Sequence, residues 1–271
     1  MHCLHRHLAV AAALCLAAPA AAETLKLGNE GVYPPFSILD PSGKLSGVEP
    51  DVAREMCKRM GVECELVVME YKALIPSLLQ GKLDAVVSQT APTPERKERV
   101  LFSSIIVKNL FTFVARKDSN YTYTREGLKG VKIGSQRGGA TGKYVSDNFG
   151  GSATVVLYDN PDQIKLELLA GRVDMAFGPN LNWKLELIEK PEGKDWKLAG
   201  GEYWVGDASV APEAQGSSWI TRKTDGEALV KRMSAALDAM IADCTFSKIR
   251  AQYIAFPIMP GDAACAAKPA G

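Results

Sequence analysis

Segments whose apolar residues are spaced as in a strand alternate along the chain with segments whose apolar residues are spaced as in a helix. The predicted elements are a strand at 24–28, a helix at 50–61, a strand at 64–69, a helix at 73–81 and a strand at 83–88. The last run is apolar throughout, which is typical of a strand buried on both faces. Pro76 is expected near the start of its helix, because proline interrupts helix interiors. The alternation predicts an α/β fold built on a mostly parallel sheet.

The same order of elements restarts in the second half. The predicted elements there are a strand at 130–135, a helix from 141, a strand at 153–158, a helix at 161–171 and a strand at 173–178. The phrase LLQGKLDAVV at 78–87 returns as LLAGRVDMAF at 168–177. In each copy a helix ends at Gly, and Asp84 or Asp174 opens the next strand. The repeat predicts two lobes of one design.

The segment that follows is expected to complete the first lobe. Residues 189–207 are rich in turn formers. The predicted elements after it are a strand at 217–223 and helices at 225–244 and 246–254.

The first 22 residues have the features of a cleavable export signal. Arg6 gives a basic start, an apolar run of about 11 residues follows, and Ala-Ala-Ala ends the segment. The run is too short to span a bilayer, and the residues before Cys15 match a lipoprotein cleavage box poorly. We therefore expect a soluble protein exported to the periplasm. The histidines that this cleavage removes are His2, His5 and His7.

The expected mature chain restricts the available chemistry. It contains no histidine, which disfavours Ser-His, Cys-His and His-metal mechanisms. Loss of Arg6 leaves 31 basic residues (32 − 1) against 31 acidic ones. This balance, without a charge run, argues against nucleic acid or an anionic membrane as the main partner.

The cysteine count predicts disulfides. Six cysteines become four after cleavage, an even number in an exported protein. We favour the local pairs Cys57–Cys64 and Cys244–Cys265, with a structural role, over free or metal-bound thiols. The sequence contains no C-x-x-C motif, so no metal site is expected.

Ligands of parallel α/β sheets bind at the carboxyl ends of the strands. That rule selects four loops, at 29–36, 88–92, 136–141 and 178–182. Directly after the second loop, Thr93 is a plausible N-cap and Pro94 a plausible first helical residue. A helix start offers free N–H groups, and Arg96 could add a fork matched to a carboxylate. The alternative is a capped surface helix whose arginine is solvated.

Three further residues could surround a cationic or planar group. Glu30 and Tyr33 lie in the first loop, and Tyr71 follows another strand end. The alternative is packing aromatics beside a surface glutamate. The segment RGGATGKY is not a phosphate loop, because Arg137 occupies the first glycine position of that motif. Its glycines would instead let backbone N–H groups approach a ligand.

Several segments together resemble one family. They are GNEGVYPPF, GVEPDVAREMCKRMGVEC, ALIPSLLQGKLDAVVS, PTPERKERVLFS, LKGVKIGSQRGGATGKY and LAGRVDMAF. They resemble the periplasmic amino-acid-binding proteins of ABC importers, in the family 3 cluster for polar and basic ligands. That cluster includes lysine/arginine/ornithine-, histidine- and opine-binding proteins, and a Cys57–Cys64 type of pairing occurs in it.

The resemblance implies two α/β lobes, two hinge strands and a ligand in the cleft between the lobes. The implied limits are 23–109 with 210–271 for the first lobe, 112–207 for the second, and hinges near 108–112 and 207–211. Cleft closure would present a shape that an ABC permease recognises. A monomer without a cofactor or a catalytic residue is implied.

The resemblance also implies roles for individual residues. Arg96 would bind the α-carboxylate of the ligand. Tyr33 and Tyr71 would flank its side chain, and Glu30 would bind a cationic group on it. The backbone near Ala91 and Ala140 would share the carboxylate. Further contacts are implied for Ser88, Gln89, Gly139 and Thr141.

Two departures from the family pattern bear on the ligand. The second-lobe motif, usually G-T-T, is Gly138-Gly139-Ala140 here. The Asp that normally holds the α-amino group is replaced by Pro179, and Asn180 would be a weaker partner for an ammonium. The expected ligand is therefore an N-substituted compound, such as an opine-like conjugate of arginine or ornithine or an N-methylated compound.

Two other functions remain open from sequence. Periplasmic dehydratases of the cyclohexadienyl type share this fold, and Glu30 could then be a general acid. A receptor sensor domain is a third possibility, disfavoured because no transmembrane segment follows the second lobe.

Overall fold

The computed structural model describes residues 23–266. The predicted signal peptide, 1–22, lies outside the described residues. In the described part, no helix combines the length and the apolar character needed to cross a membrane.

The chain forms strands and helices in alternation. The strands are β1 (Thr24–Asn29), β2 (Val32–Tyr33), β3 (Ser37–Leu39), β4 (Leu45–Ser46), β5 (Glu63–Val68), β6 (Ala85–Thr90), β7 (Val100–Val107), β8 (Phe111–Arg116), β9 (Lys132–Gln136), β10 (Thr154–Tyr158), β11 (Met175–Pro179), β12 (Trp196–Tyr203) and β13 (Ser217–Arg222). The helices are α1 (Val48–Met60), α2 (Tyr71–Leu79), α3 (Pro94–Lys97), α4 (Ala140–Phe149), α5 (Pro161–Leu169), α6 (Asn180–Trp183), α7 (Glu227–Ala242), α8 (Thr245–Arg250) and α9 (Pro260–Ala266).

Two five-stranded sheets have the same internal pattern. Their orders are β5-β1-β6-β13-β7 and β10-β9-β11-β8-β12, and we call the bodies built on them the first and second lobes. β1 is parallel to β5 and β6, and β9 is parallel to β10 and β11. The other pairings are antiparallel. The α/β prediction is confirmed, and the parallel part is three strands of each sheet.

The antiparallel strands carry the chain between the sheets. β7 of the first sheet leads directly into β8 of the second through residues 108–110, and β12 leads back to β13 through 204–216. β13 is antiparallel to both β6 and β7, and β8 is antiparallel to both β11 and β12, so β8 and β13 are the strands that run opposite to the parallel strands of their sheets.

Helices cover both faces of each sheet. In the first lobe, α1 and α7 pack with Leu27 and Trp219, while α2 packs against Val86 and Ile220 on the other face. In the second lobe, α4 packs on the face that carries Phe113, Ile133 and Phe177. α5 and α6 pack on the opposite face, which includes Val114 and Ala176. Each lobe therefore has its own core.

The repeated phrase has the same structure in both copies. Gly81 and Gly171 follow α2 and α5 with φ of 72° and 70°, a conformation that favours glycine. The carboxylate of Asp84 accepts the backbone N–H of Lys26 at 2.8 Å. Asp174 accepts that of Lys132 at 2.7 Å. Each Asp therefore fixes the start of its strand against the neighbouring parallel strand.

Several elements differ from the sequence prediction. β7, β8 and β12 were not predicted, and β12 lies in the segment assigned to turns. Its pairing with β8 is irregular between Ala199 and Tyr203, where Gly200 and Gly201 have positive φ. Those glycines gave the segment its turn-like composition. Pro76 lies inside α2 rather than near its start. The N–H that it lacks would have donated to the carbonyl of Lys72, so the first turn of α2 has one hydrogen bond fewer.

Both predicted disulfides are confirmed. Cys57 in α1 is bonded to Cys64 in β5, with 6.2 Å between their Cα atoms. Cys244, before α8, is bonded to Cys265 in α9, with a Cα separation of 5.5 Å. The second bond joins α9 to the end of α7.

A buried ion pair also holds α9. The Arg250 guanidinium donates to both carboxylate oxygens of Asp262 at 2.8 Å and to the Ile254 carbonyl. The side chains are 4% and 0% exposed. Asp262 also accepts the backbone N–H of Ile258 at 2.9 Å.

Replacing Asp262 with Ala should destabilise the protein by about 3–5 kcal/mol, because it leaves a buried guanidinium without its counter-charge. The measurement is the free energy of unfolding in urea. Lys231→Ala is the matched control, since it breaks the exposed Lys231–Glu227 pair and should cost about 0.5 kcal/mol or less. Equal effects of the two substitutions would contradict a stabilising role for the buried pair.

Candidate ligand-binding site

The carboxyl ends of strands from both lobes meet at one cleft. The residues that line it are Glu30, Tyr33, Tyr71, Gln89, Ala91, Arg96, Phe111, Gln136, Gly139, Ala140, Thr141, Pro179 and Ser217. All four loops selected from the sequence contribute, so the structure brings together segments that lie far apart in the chain.

Two predicted site residues do not line the cleft. Ser88 is fully buried, and its hydroxyl accepts the backbone N–H of Glu30 at 3.0 Å, so it supports the loop from behind. Asn180 is the first residue of α6, and its amide donates to the carboxylate of Glu202. The Asn180 side chain therefore does not line the cleft, and the preceding residue, Pro179, lines it instead. The suggested role of Asn180 as a substitute amine partner has no geometric support here.

Arg96 is held by its own short helix. The Thr93 hydroxyl accepts the backbone N–H of Arg96 at 3.3 Å, as expected for an N-cap. The guanidinium donates to the carbonyls of Ala91 and Gly138, both at 3.0 Å, and lies 6.0 Å from the centre of the Tyr71 ring. Neutral carbonyls are weaker acceptors than a carboxylate. A carboxylate that enters the cleft could therefore replace them.

The opposite charge in the cleft comes from Glu30. It is 4% exposed and accepts a hydrogen bond from the Gln136 amide at 2.9 Å. Burial raises its pKa to about 8, and the Gln136 hydrogen bond only partly opposes this shift. Burial also raises the pKa of the Tyr33 hydroxyl, and the charge of Glu30 raises it further. At neutral pH the burial of Glu30 thus favours its protonated form, whereas a guanidinium keeps its charge.

A second buried acid lies behind the first. Glu49, in α1, is 1% exposed and accepts a hydrogen bond from the Asn29 amide at 3.2 Å. Burial raises the pKa of Glu49 well above its usual value, and the charge of Glu30 raises it further. The charge of Glu30 thus disfavours the ionised form of Glu49, and a cation near Glu30 would stabilise the ionised form of Glu30.

The lobes contact each other across the cleft. Glu30 and Gln136 come from different lobes, as do Arg96 and Gly138. Lys72 of α2 pairs with Asp159 at 2.9 Å. Gly138 has φ of 74°, and a Cβ there would lie 2.9 Å from the Lys72 Cα. Glycine at this position therefore permits the close approach of the two backbones.

The second lobe also presents a helix N-terminus. Gly139 is the N-cap of α4, and Ala140 and Thr141 are its first residues. The first N–H groups of a helix have no partner within it and carry the positive end of the helix dipole. Together with Arg96, they make this end of the cleft suitable for an anion.

Sequence reasoning missed some of the lining residues. Gln136 belongs to a selected loop, but its bond to Glu30 depends on how the lobes meet. Phe111 and Ser217 are the first residues of β8 and β13, next to the two crossings between the sheets. Their position at the start of a strand beside a crossing was the sequence feature that could have identified them. Among residues 23–266, no group of three or more His, Cys, Asp or Glu side chains could hold a metal ion.

The sequence is similar to those of known two-lobed binding proteins. The profile of the bacterial extracellular solute-binding proteins, family 3, matches residues 25–256. The L-arginine-binding protein of Pseudomonas aeruginosa is 31% identical over 240 residues, which is 88% of this chain and 91% of that protein. The lysine/arginine/ornithine-binding periplasmic protein of Escherichia coli is 32% identical over 237 residues, or 87% and 89% of the two chains.

A solved structure shows the same fold. An ancestral arginine-binding protein bound to arginine superposes with a TM-score of 0.72 at 30% identity, over 85% of this chain and 98% of that one. These relatives are named for binding, and none of the three for catalysis. The match spans nearly the whole described chain and includes both lobes, so this protein belongs to the bacterial extracellular solute-binding proteins, family 3.

Proposed function

We propose that this protein is a periplasmic receptor that captures an amino acid or amino-acid derivative and delivers it to an ABC permease. The observation that carries the proposal is the pairing in one cleft of a permanent cation, Arg96, with a buried ionisable acid, Glu30. A ligand with a carboxylate and a cationic side chain complements both. The names of the arginine- and lysine-binding relatives support the same ligand class.

Each cleft residue then has a role in binding. Arg96 holds the α-carboxylate, together with the free N–H groups near Ala140. Tyr33 and Tyr71 flank the ligand side chain, and Glu30 ionises when its cation arrives. Pro179 offers no side-chain acceptor where the family has an Asp, which favours a ligand that carries a substituent on its α-nitrogen.

Closure of the two lobes is the proposed mechanism. The lobe limits that we propose are 23–109 with 210–271, and 112–207, with hinges near 108–112 and 207–211. The ligand shifts the population towards the closed form because it contacts both lobes only there. We further propose export by the signal at 1–22 and action as a monomer. A dehydratase is not favoured, since the relatives are binding proteins.

A carboxylate ligand with a cationic side chain should stabilise the protein, and Arg96→Ala should abolish that effect. At about 1,000 times its dissociation constant, a ligand adds about 4 kcal/mol. The measurement is a thermal-shift panel of basic amino acids, opines and N-substituted arginines. Arg99→Ala is the matched control, because Arg99 is exposed and does not line the cleft. A shift that survives in Arg96→Ala would reject the assigned carboxylate site.

Affinity for a cationic ligand should rise with pH and level off near pH 8. Below the Glu30 pKa of about 8, binding must remove a proton from the free protein. The affinity should therefore rise by up to about tenfold per pH unit between pH 6 and 7. Calorimetry in buffers of different ionisation enthalpy would detect the released proton.

Glu30→Gln is the control for this pH dependence. It should bind more weakly and show neither the rise with pH nor the proton release. The same pH profile in this variant would assign the proton to another group.

A further inference from the structure

A second chamber adjoins the ligand cleft on the side of α6. It shares Tyr33, Gln136, Thr141 and Pro179 with the cleft, and these four residues form the junction between the two spaces. Pro34, Phe177 and Trp183 supply much of its apolar wall. Part of a bound ligand could extend from the cleft into this chamber.

Two buried side chains of the chamber have unpaired polar atoms. Asn182 and Trp183 line it and are 6% and 5% exposed. The Asn182 amide nitrogen donates to the Pro34 carbonyl at 2.9 Å, but its oxygen has no partner. The indole N–H of Trp183 has none either. Buried polar groups are normally paired. One acceptor and one donor in the wall of the chamber therefore lack a partner, and an amide has the donor and the acceptor that would complement them.

The charges argue for an uncharged group at the junction. None of its four residues carries a formal charge, and Pro179 has neither a side-chain acceptor nor an N–H. An ammonium there would find no acidic side chain among these four residues and would compete with the cationic side chain of the ligand for Glu30, which contacts Gln136. The ionisable residues that line the chamber are Asp162, Glu186 and Lys165, two acids against one base. A second carboxylate, as in an opine, would meet a surplus of negative charge.

We propose that this chamber is a subsite for an uncharged N-acyl substituent, so that the ligand class is an Nα-acylated amino acid. The inference rests on the proposed function, in which Arg96 holds the α-carboxylate and Glu30 the cationic side chain. The amide nitrogen lies at the neutral junction. The acyl carbonyl accepts the Trp183 N–H, and the Asn182 oxygen accepts the amide N–H.

The first test compares ligands that differ only at the α-nitrogen. Calorimetry would measure L-arginine, Nα-methyl-L-arginine, Nα-acetyl-L-arginine and N2-(1-carboxyethyl)-L-arginine. We expect Nα-acetyl-L-arginine to bind at least about tenfold more tightly than the other three. Tighter binding of L-arginine, of the methyl compound or of the carboxyethyl compound would overturn the subsite while leaving the proposed function intact. No binding of any of them would overturn both.

The second test uses variants of the chamber. Trp183→Phe removes the unpaired N–H and should weaken binding of Nα-acetyl-L-arginine about tenfold, with little change for L-arginine. Trp219→Phe is the matched control, because its buried indole N–H is also unpaired but lies in the first-lobe core. It should leave both affinities unchanged. Equal effects of the two substitutions on acyl-arginine binding would contradict the hydrogen bond.

A third variant restores a charge at the junction. Pro179→Asp supplies a carboxylate beside the α-nitrogen, so the preference should move towards free L-arginine by at least about tenfold. An unchanged ratio of the two affinities, in a variant whose thermal unfolding matches that of the parent, would show that the α-nitrogen does not lie at Pro179.

Discussion

The hydrogen bond at the start of one strand in each lobe is the constraint on which the rest of the structure depends. Asp84 and Asp174 each accept a backbone N–H from the neighbouring parallel strand. This bond fixes the register of β6 on β1 and of β11 on β9. Because the register sets where the strands end, it also sets the edge from which the ligand loops leave. The same hydrogen bond, made once in each lobe, therefore positions both sides of the cleft.

The cleft built on those edges avoids burying unpaired charge. Arg96 stays charged, and its guanidinium bonds to two carbonyls. Burial raises the pKa of Glu30, so this acid holds its proton, and Gln136 donates to it across the lobes. In the proposed function, a ligand with complementary charges would replace both sets of interactions. Opposite charges attract more strongly beside buried groups than in bulk water.

The predicted site residues that line the cleft share a local signal. Arg96 follows a Thr-Pro N-cap, and Glu30 and Tyr33 follow the end of an apolar strand. Such positions are set by neighbours in the chain. Ser88 and Asn180 carried the same signal, but their side chains face away from the cleft. The direction of a side chain at a strand end depends on the loop conformation, which tertiary contacts determine.

The sequence by itself determined the α/β design, the duplication and both disulfides. Apolar spacing, Gly at helix ends and Asp before buried strands act over a few residues, so they can be recognised without coordinates. Only the tertiary structure decided how the lobes meet. The Glu30–Gln136 bond, the raised pKa of Glu30 and the chamber beside Pro179 all arise from groups far apart in sequence. Their physical cause is the loss of water where two lobes come together, and local sequence does not encode that loss.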